Sequence, residues 1–156
     1  MMMNALGLPI KQTEEIIEEL NVLLSNYQVY YQNLRGLHWN IKGKRFFDLH
    51  VKFEEFYNDS QLKIDIIAER ILTLGGIPLH TFEDYISKNK LKVGKNISKD
   101  EEAVELVLHS LSELLIIERE ILIGSGKIDD EGTNSIMSNF ISEQEKTIWM
   151  LKAWME

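Results

Sequence analysis

The chain contains no cysteine and only two prolines in 156 residues. Without cysteine there are no disulfides, thiolate nucleophiles or zinc–thiolate sites, and histidine and carboxylate remain as the available metal ligands. So little proline leaves room for long uninterrupted helices. No hydrophobic run is long enough to span a bilayer, and the amino terminus (MMMNALGLPIKQTEEI) lacks a basic stretch followed by an apolar one. Neither a membrane span nor a secretory signal is therefore expected, and the expected location is cytoplasmic. Positive charge is also scarce: 17 Lys and Arg stand against 25 Asp and Glu, a net charge of −8. That balance repels phosphate backbones and attracts cations.

What is present is apolar residue at helical spacing, with 44% hydrophobic content, enough for one domain spanning 1–156 with a substantial core. Ile16, Leu20, Leu23, Tyr27, Tyr30, Leu34 and Leu37 recur at alternating steps of four and three, which predicts a long amphipathic helix with Pro9 in its first turn. The segment KGKRFF opens a second helix, expected over 43–74, with Phe46, Leu49, Phe53, Phe56, Ile67, Ile71 and Leu74 inward and Gly75, Gly76 and Pro78 ending it. Residues 81–87 begin with a Thr-x-x-Asp cap and read as one or two helical turns, followed by the polar linker KNKLKVGKN. Ser98 and Glu101 suggest a capping box for a third helix with Val104, Val107, Leu111, Leu114 and Ile121 on one stripe, stopped at Gly124 or Gly126. A fourth begins near Thr133 and carries Met137, Phe140, Gln144, Thr147, Leu151 and Trp154. No strand-like alternation or internal repeat appears. The fold class is all-α, a four-helix bundle with a short extra helix in the crossover between helices 2 and 3.

The chemistry concentrates on the second helix. At ~100° per residue, His50, Glu54, Asp65 and Glu69 fall in a sector ~100° wide, and each pair, spaced i, i+4, presents two ligands on adjacent turns. From His50 to Asp65 the helix climbs ~22 Å, whereas metal–ligand bonds are ~2 Å. No single ion can touch both pairs of one chain. A second copy lying antiparallel across a two-fold axis near Asp59 and Ser60 would set His50 and Glu54 of one chain against Asp65 and Glu69 of the other, giving two identical sites per dimer. Di-iron bundles that build the site within one chain use Glu-x-x-His motifs. Here Arg35, Phe47, Ile77 and Leu106 stand three residues before the four histidines instead.

The stretch LHWNIKGKRFFDLHVKFEEFYNDSQLKIDIIAERILTLGGIPLHT (37–81) resembles the signature of the Dps family, the starved-cell mini-ferritins of the ferritin-like superfamily. The likeness extends through the short helix and the closing EQEKTIWMLKAW segment. It implies a ferritin-like bundle whose catalytic and metal-binding residues are His38, His50, Glu54, Asp65 and Glu69. Glu54 stands where an aspartate is frequent, one methylene longer. By the same resemblance, Asp65 and Glu69 hold the tighter iron with His38 contributed across the interface, while His50 and Glu54 serve a weaker one. Two Fe per inter-subunit site, hydrogen peroxide as oxidant, two-fold dimers assembled into a homo-oligomeric dodecamer, and storage of ferric oxyhydroxide in its hollow interior all follow as expectations. The activity implied is a ferroxidase that protects against oxidative stress.

Other residues have plainer readings. Trp39 suits packing around the site; the resemblance implies a further role as electron donor to stray oxidants. His109 and His80 read as surface or capping histidines. Glu118, on the apolar stripe between Leu114 and Ile121, is expected at a wet edge or beside a basic residue. Asp129, Asp130 and Glu131 suit the N-terminus of the fourth helix. The resemblance adds a pore-lining role for ferrous ion, with Asp130 the leading candidate. DNA binding is expected to be weak, because the amino terminus carries only Lys11 before the helix acids and the chain closes at Trp154, Met155 and Glu156 without a basic tail. The alternatives are a non-catalytic structural or nucleoid-protecting shell, and zinc or manganese as the physiological ion.

Overall fold

The computed structural model describes residues 1–156 as five helices: α1 (Ile10–Asn40), α2 (Phe46–Thr73), α3 (Phe82–Lys88), α4 (Asp100–Gly126) and α5 (Glu131–Met155). Each stripe read from the sequence faces inward, and Leu20, Leu34, Phe53, Ile67, Ile71, Leu114, Ile121 and Met137 are wholly buried at the centre. No helix is long and apolar enough to cross a membrane.

Local details differ from the expectations. Helix α1 begins at Ile10, with Pro9 as its N-cap rather than inside the first turn and its carbonyl accepting from the Thr13 amide at 3.0 Å and hydroxyl at 2.8 Å. Helix α2 starts at Phe46, because Gly43 takes φ +113 and turns the chain instead of opening the helix. The capping box at Ser98 does not form. The Ser98 carbonyl accepts from the Lys42 amide at 2.9 Å, Lys99 is the N-cap, and no side chain caps α4. Thr81 does cap α3, accepting from the Asp84 amide at 3.2 Å.

The pairings fix the topology. His38 meets His50 and Tyr31 meets Tyr57, so α1 and α2 run antiparallel. Arg119 pairs with Glu145 and Asn134 reaches the Leu122 carbonyl, so α4 and α5 do too. Lys63 pairs with Glu143 and Arg70 with Asp130, which sets α5 antiparallel to α2. This is the up-down-down-up order that one long crossover produces.

That crossover is fastened to α1 by three buried asparagines. Asn21 donates to the Ile77 carbonyl at 3.1 Å and accepts from the Leu79 amide at 2.9 Å. Asn26 accepts from the Lys90 amide at 2.7 Å, and Asn33 joins the Lys92 carbonyl at 2.8 Å to the Gly94 amide at 3.0 Å. A side-chain amide offers one donor and one acceptor edge, so each asparagine satisfies backbone that has no sheet or helix partner.

Candidate metal centre

The turn between α1 and α2 folds His38 onto His50. Their rings stack at 3.7 Å with 12° between planes. His38 Nδ1 lies 2.6 Å from the His50 carbonyl oxygen, and His50 Nδ1 lies 2.7 Å from the carbonyl oxygen of His38. A carbonyl oxygen only accepts, so each Nδ1 carries a proton and donates, which in the neutral ring leaves the Nε2 lone pair free. This is the tautomer a metal-ligating imidazole needs when its other nitrogen is anchored to a carbonyl. His38 is buried and His50 half-buried, and Phe46 stacks on the His50 ring at 4.9 Å.

Tyr57, not singled out from the sequence, joins both helices' candidates. Its hydroxyl donates to Glu54 Oε1 at 3.3 Å and its ring meets His38 edge-on at 5.4 Å. The spacing of three residues from Glu54 was the available signal. Arg35 lies over Trp39 at 4.8 Å, Tyr31 at 5.6 Å and Tyr57 at 5.9 Å. Trp39 itself is 57% exposed, so core packing does not account for it.

Asp65 and Glu69 stand exposed further along the same face of α2 and enter none of the chain's ion pairs. Within one chain no three histidine, aspartate or glutamate side chains converge on a possible metal position. The structure brings His38, His50 and Glu54 to one end of the face and leaves Asp65 and Glu69 at the other. Phe47, Val51 and Leu72 share that sector by helical period and Leu62 borders it, with exposures of 80, 51, 58 and 65%.

Two expectations are corrected. Asp130 is 2% exposed, accepts from the Thr133 amide at 3.0 Å and pairs with Arg70 at 2.6 Å, so it fastens the start of α5 to α2 rather than facing a channel. Asp129 and Glu131 on either side are exposed. Glu118 is not at a wet edge: it is fully buried, accepting on Oε1 from Tyr27 Oη at 2.6 Å and from Gln144 Nε2 at 2.7 Å. Desolvation pushes its carboxyl up to about 7, against the lowering effect of those two hydrogen bonds and of Lys63 and Arg119. Two polar residues on core stripes, Glu118 and Gln144, were the sequence signal for this pairing. His80 and His109 are exposed, as expected of surface histidines.

The bundle defines a class. Residues 17–156 match the family model of Ferritin, the ferritin-like domain. The structure superimposes with a TM-score of 0.97 on the Dps protein of Vibrio cholerae O1, described as a member of a broad superfamily of ferritin-like diiron-carboxylate proteins. The two are 47% identical, over 100% of this chain and 98% of that one. The DNA protection during starvation protein of Porphyromonas gingivalis is 39% identical over 95% of this chain and 93% of its own length. General stress protein 20U of Bacillus subtilis is 34% identical, covering 92% of this chain and 99% of that protein. The chain belongs to the Dps family of ferritin-like proteins.

Proposed function

We propose that this protein takes up and detoxifies iron, oxidising Fe(II) to Fe(III) at di-iron sites built between two copies of the chain. The observation that carries this reading is the division of α2 into two halves, imidazoles with Glu54 at one end and unpaired Asp65 and Glu69 at the other, too far apart for one ion. An antiparallel second copy of α2 closes the gap and covers Phe47, Val51, Leu62 and Leu72, side chains that water otherwise surrounds.

Each site would then take His38, His50 and Glu54 from one protomer and Asp65 and Glu69 from its partner. Neutral Nε2 donors and carboxylates suit both the ferrous substrate and the harder ferric product. The two Nδ1 donors locked on carbonyls hold the rings in place, and Tyr57 steadies Glu54, which lacks the short arm of an aspartate. Two ferrous ions held together each give one electron to a single hydrogen peroxide. Its O–O bond takes both, and with two protons two waters leave, so no hydroxyl radical is released. By family likeness, six such dimers form a twelve-chain shell in which ferric product is stored. Protection of DNA, the role in several relatives' names, would then come through removal of iron and peroxide rather than through contact with the duplex.

Complementation between chains tests the reading. A His50→Ala, Glu54→Ala chain and an Asp65→Ala, Glu69→Ala chain should each fail to oxidise Fe(II) with peroxide. Co-assembled in equal amounts, they should recover about a quarter of wild-type activity, because half the dimers are mixed and each mixed dimer has one intact site. No recovery in verified mixed assemblies would reject the shared site.

A further inference from the structure

Beside the imidazoles lies a cluster that the iron chemistry proposed above does not use. Arg35, one turn before His38 on α1, is half-buried and enters none of the chain's ion pairs. In a protein with 25 Asp and Glu, a half-buried arginine without a carboxylate partner is conspicuous. Its partners are aromatic instead. The guanidinium lies 4.8 Å from the Trp39 ring, 5.6 Å from Tyr31 and 5.9 Å from Tyr57, and Nη1 donates to Tyr31 Oη at 3.3 Å. A ring face attracts a cation over distances up to about 6 Å, so all three rings hold it. The cluster reaches the candidate site, because Tyr57 meets His38 edge-on and donates to Glu54.

Indole and phenol rings are the side chains without sulfur that a one-electron oxidant attacks first, and Trp39, exposed to solvent, is not protected by burial. Such an oxidant arises when a site holds one ferrous ion instead of two. Peroxide then takes a single electron and breaks into hydroxide and hydroxyl radical. A radical that takes an electron from Trp39 becomes hydroxide, and the indole is left as a radical cation that loses its N–H proton to water. The new positive charge on the ring would stand 4.8 Å from the guanidinium. Like charges at that distance repel, and the attraction that held the cation to the neutral ring is lost. Both effects make the oxidised ring less stable, so Trp39 gives up an electron less readily than a bare indole.

We propose that Arg35 is an oxidation guard, whose guanidinium keeps Trp39, Tyr31 and Tyr57 from yielding electrons to oxidants that form at the metal centre. It acts through the rings and not on the metal. Trp39 is thereby shielded rather than used as an electron donor. Trp149 supplies the contrast within the same chain, since it is 65% exposed and takes part in no cation–π contact. The source of the oxidant rests on the reading of the site given above, whereas the effect of the charge on the rings does not.

The test is limited oxidation of the assembled protein, with oxidised Trp39 and Trp149 measured by peptide mass spectrometry. One arm uses a photogenerated ruthenium(III) polypyridyl oxidant without iron, the other hydrogen peroxide with a single ferrous ion per site. Arg35→Gln, which keeps a polar side chain over the ring but drops the charge, should raise oxidation of Trp39 relative to Trp149 about fivefold in both arms. Arg35→Lys, which keeps the charge, should stay within about twofold of wild type. An unchanged ratio for assembled Arg35→Gln in the iron-free arm overturns the proposal. So does an equal rise in Arg35→Lys, which would make the guanidinium a cover by shape alone. A rise confined to the iron-free arm leaves the guard standing and rejects the metal centre as the source of oxidant, so the two readings fail separately. Should Arg35→Gln not assemble, Arg35→Leu takes its place with the same expected rise, and no rise overturns the proposal equally.

Discussion

His38 and His50 each bond the other's backbone carbonyl through Nδ1, at 2.6 and 2.7 Å, and so hold one another's rings in register. Neither imidazole is positioned independently, because losing one removes the stacking surface that orients the other.

Substitutions at the pair should therefore be strongly non-additive. His38→Ala and His50→Ala should each lower peroxide-driven Fe(II) oxidation about a hundredfold, and the double variant should lie within about threefold of the worse single one. Single-turnover oxidation followed optically gives all three numbers. Two losses that multiply would show that the rings act separately.

Glu118 should leave a signature in the pH dependence of stability. Its folded carboxyl is raised from 4.5 to about 7, so the folded protein keeps a proton that the unfolded chain releases. Stability linked to this group is full below the unfolded value and is lost as pH rises through the interval up to about 7. The loss is on the order of 3 kcal/mol at most. Urea unfolding of wild type and Glu118→Gln at fixed protein concentration should show a difference that shrinks or reverses from pH 5 to pH 8. A constant difference would contradict the assignment.

Asn33→Ala should cost about 1–3 kcal/mol, since it strands the Lys92 carbonyl and the Gly94 amide. The Gly94 amide should lose its protection from hydrogen exchange while amides inside α1 keep theirs. A methyl group at Gly94 would come within 2.5 Å of Leu106 Cδ2, so Gly94→Ala should destabilise the same segment by crowding.

Duplex binding should be weak and lost on raising salt. The lysines of the crossover, Lys88, Lys90, Lys92, Lys95 and Lys99, form the longer of two basic stretches, beside Lys42, Lys44 and Arg45, in a chain with net charge −8. A gel shift should show retention only at low ionic strength, and charge-neutralising changes at Lys90, Lys92 and Lys95 should abolish it. Tight binding at ~0.15 M salt would refute this.

The four long helices and the short crossover helix were legible because their apolar positions keep a helical period through uninterrupted sequence. The two-ended ligand face of α2 was legible too, since i, i+4 spacing and helical rise are properties of a single element. What escaped is what joins distant elements. Glu118 meets Tyr27 and Gln144 across three helices, and although its place on an apolar stripe hints at burial, nothing local to it names those partners. The Ser98 cap was overruled by a backbone bond to Lys42, far away in sequence, and Asp130 by Arg70 of α2. Asparagines on α1 gave no sign of their role, because their partners are backbone groups that any residue supplies.

Those three amide clamps also make the crossover a measured strap. Asn21, Asn26 and Asn33 sit at set heights on a rigid rod, and each grips a particular peptide group of the segment passing over it. Slack can gather in the stretch that coils between the first two grips, but between the grips at Lys90 and Lys92 there is none to spare. An added or missing residue there would pull every later grip off its peptide, so evolutionary changes in length should be confined to the coiled stretch.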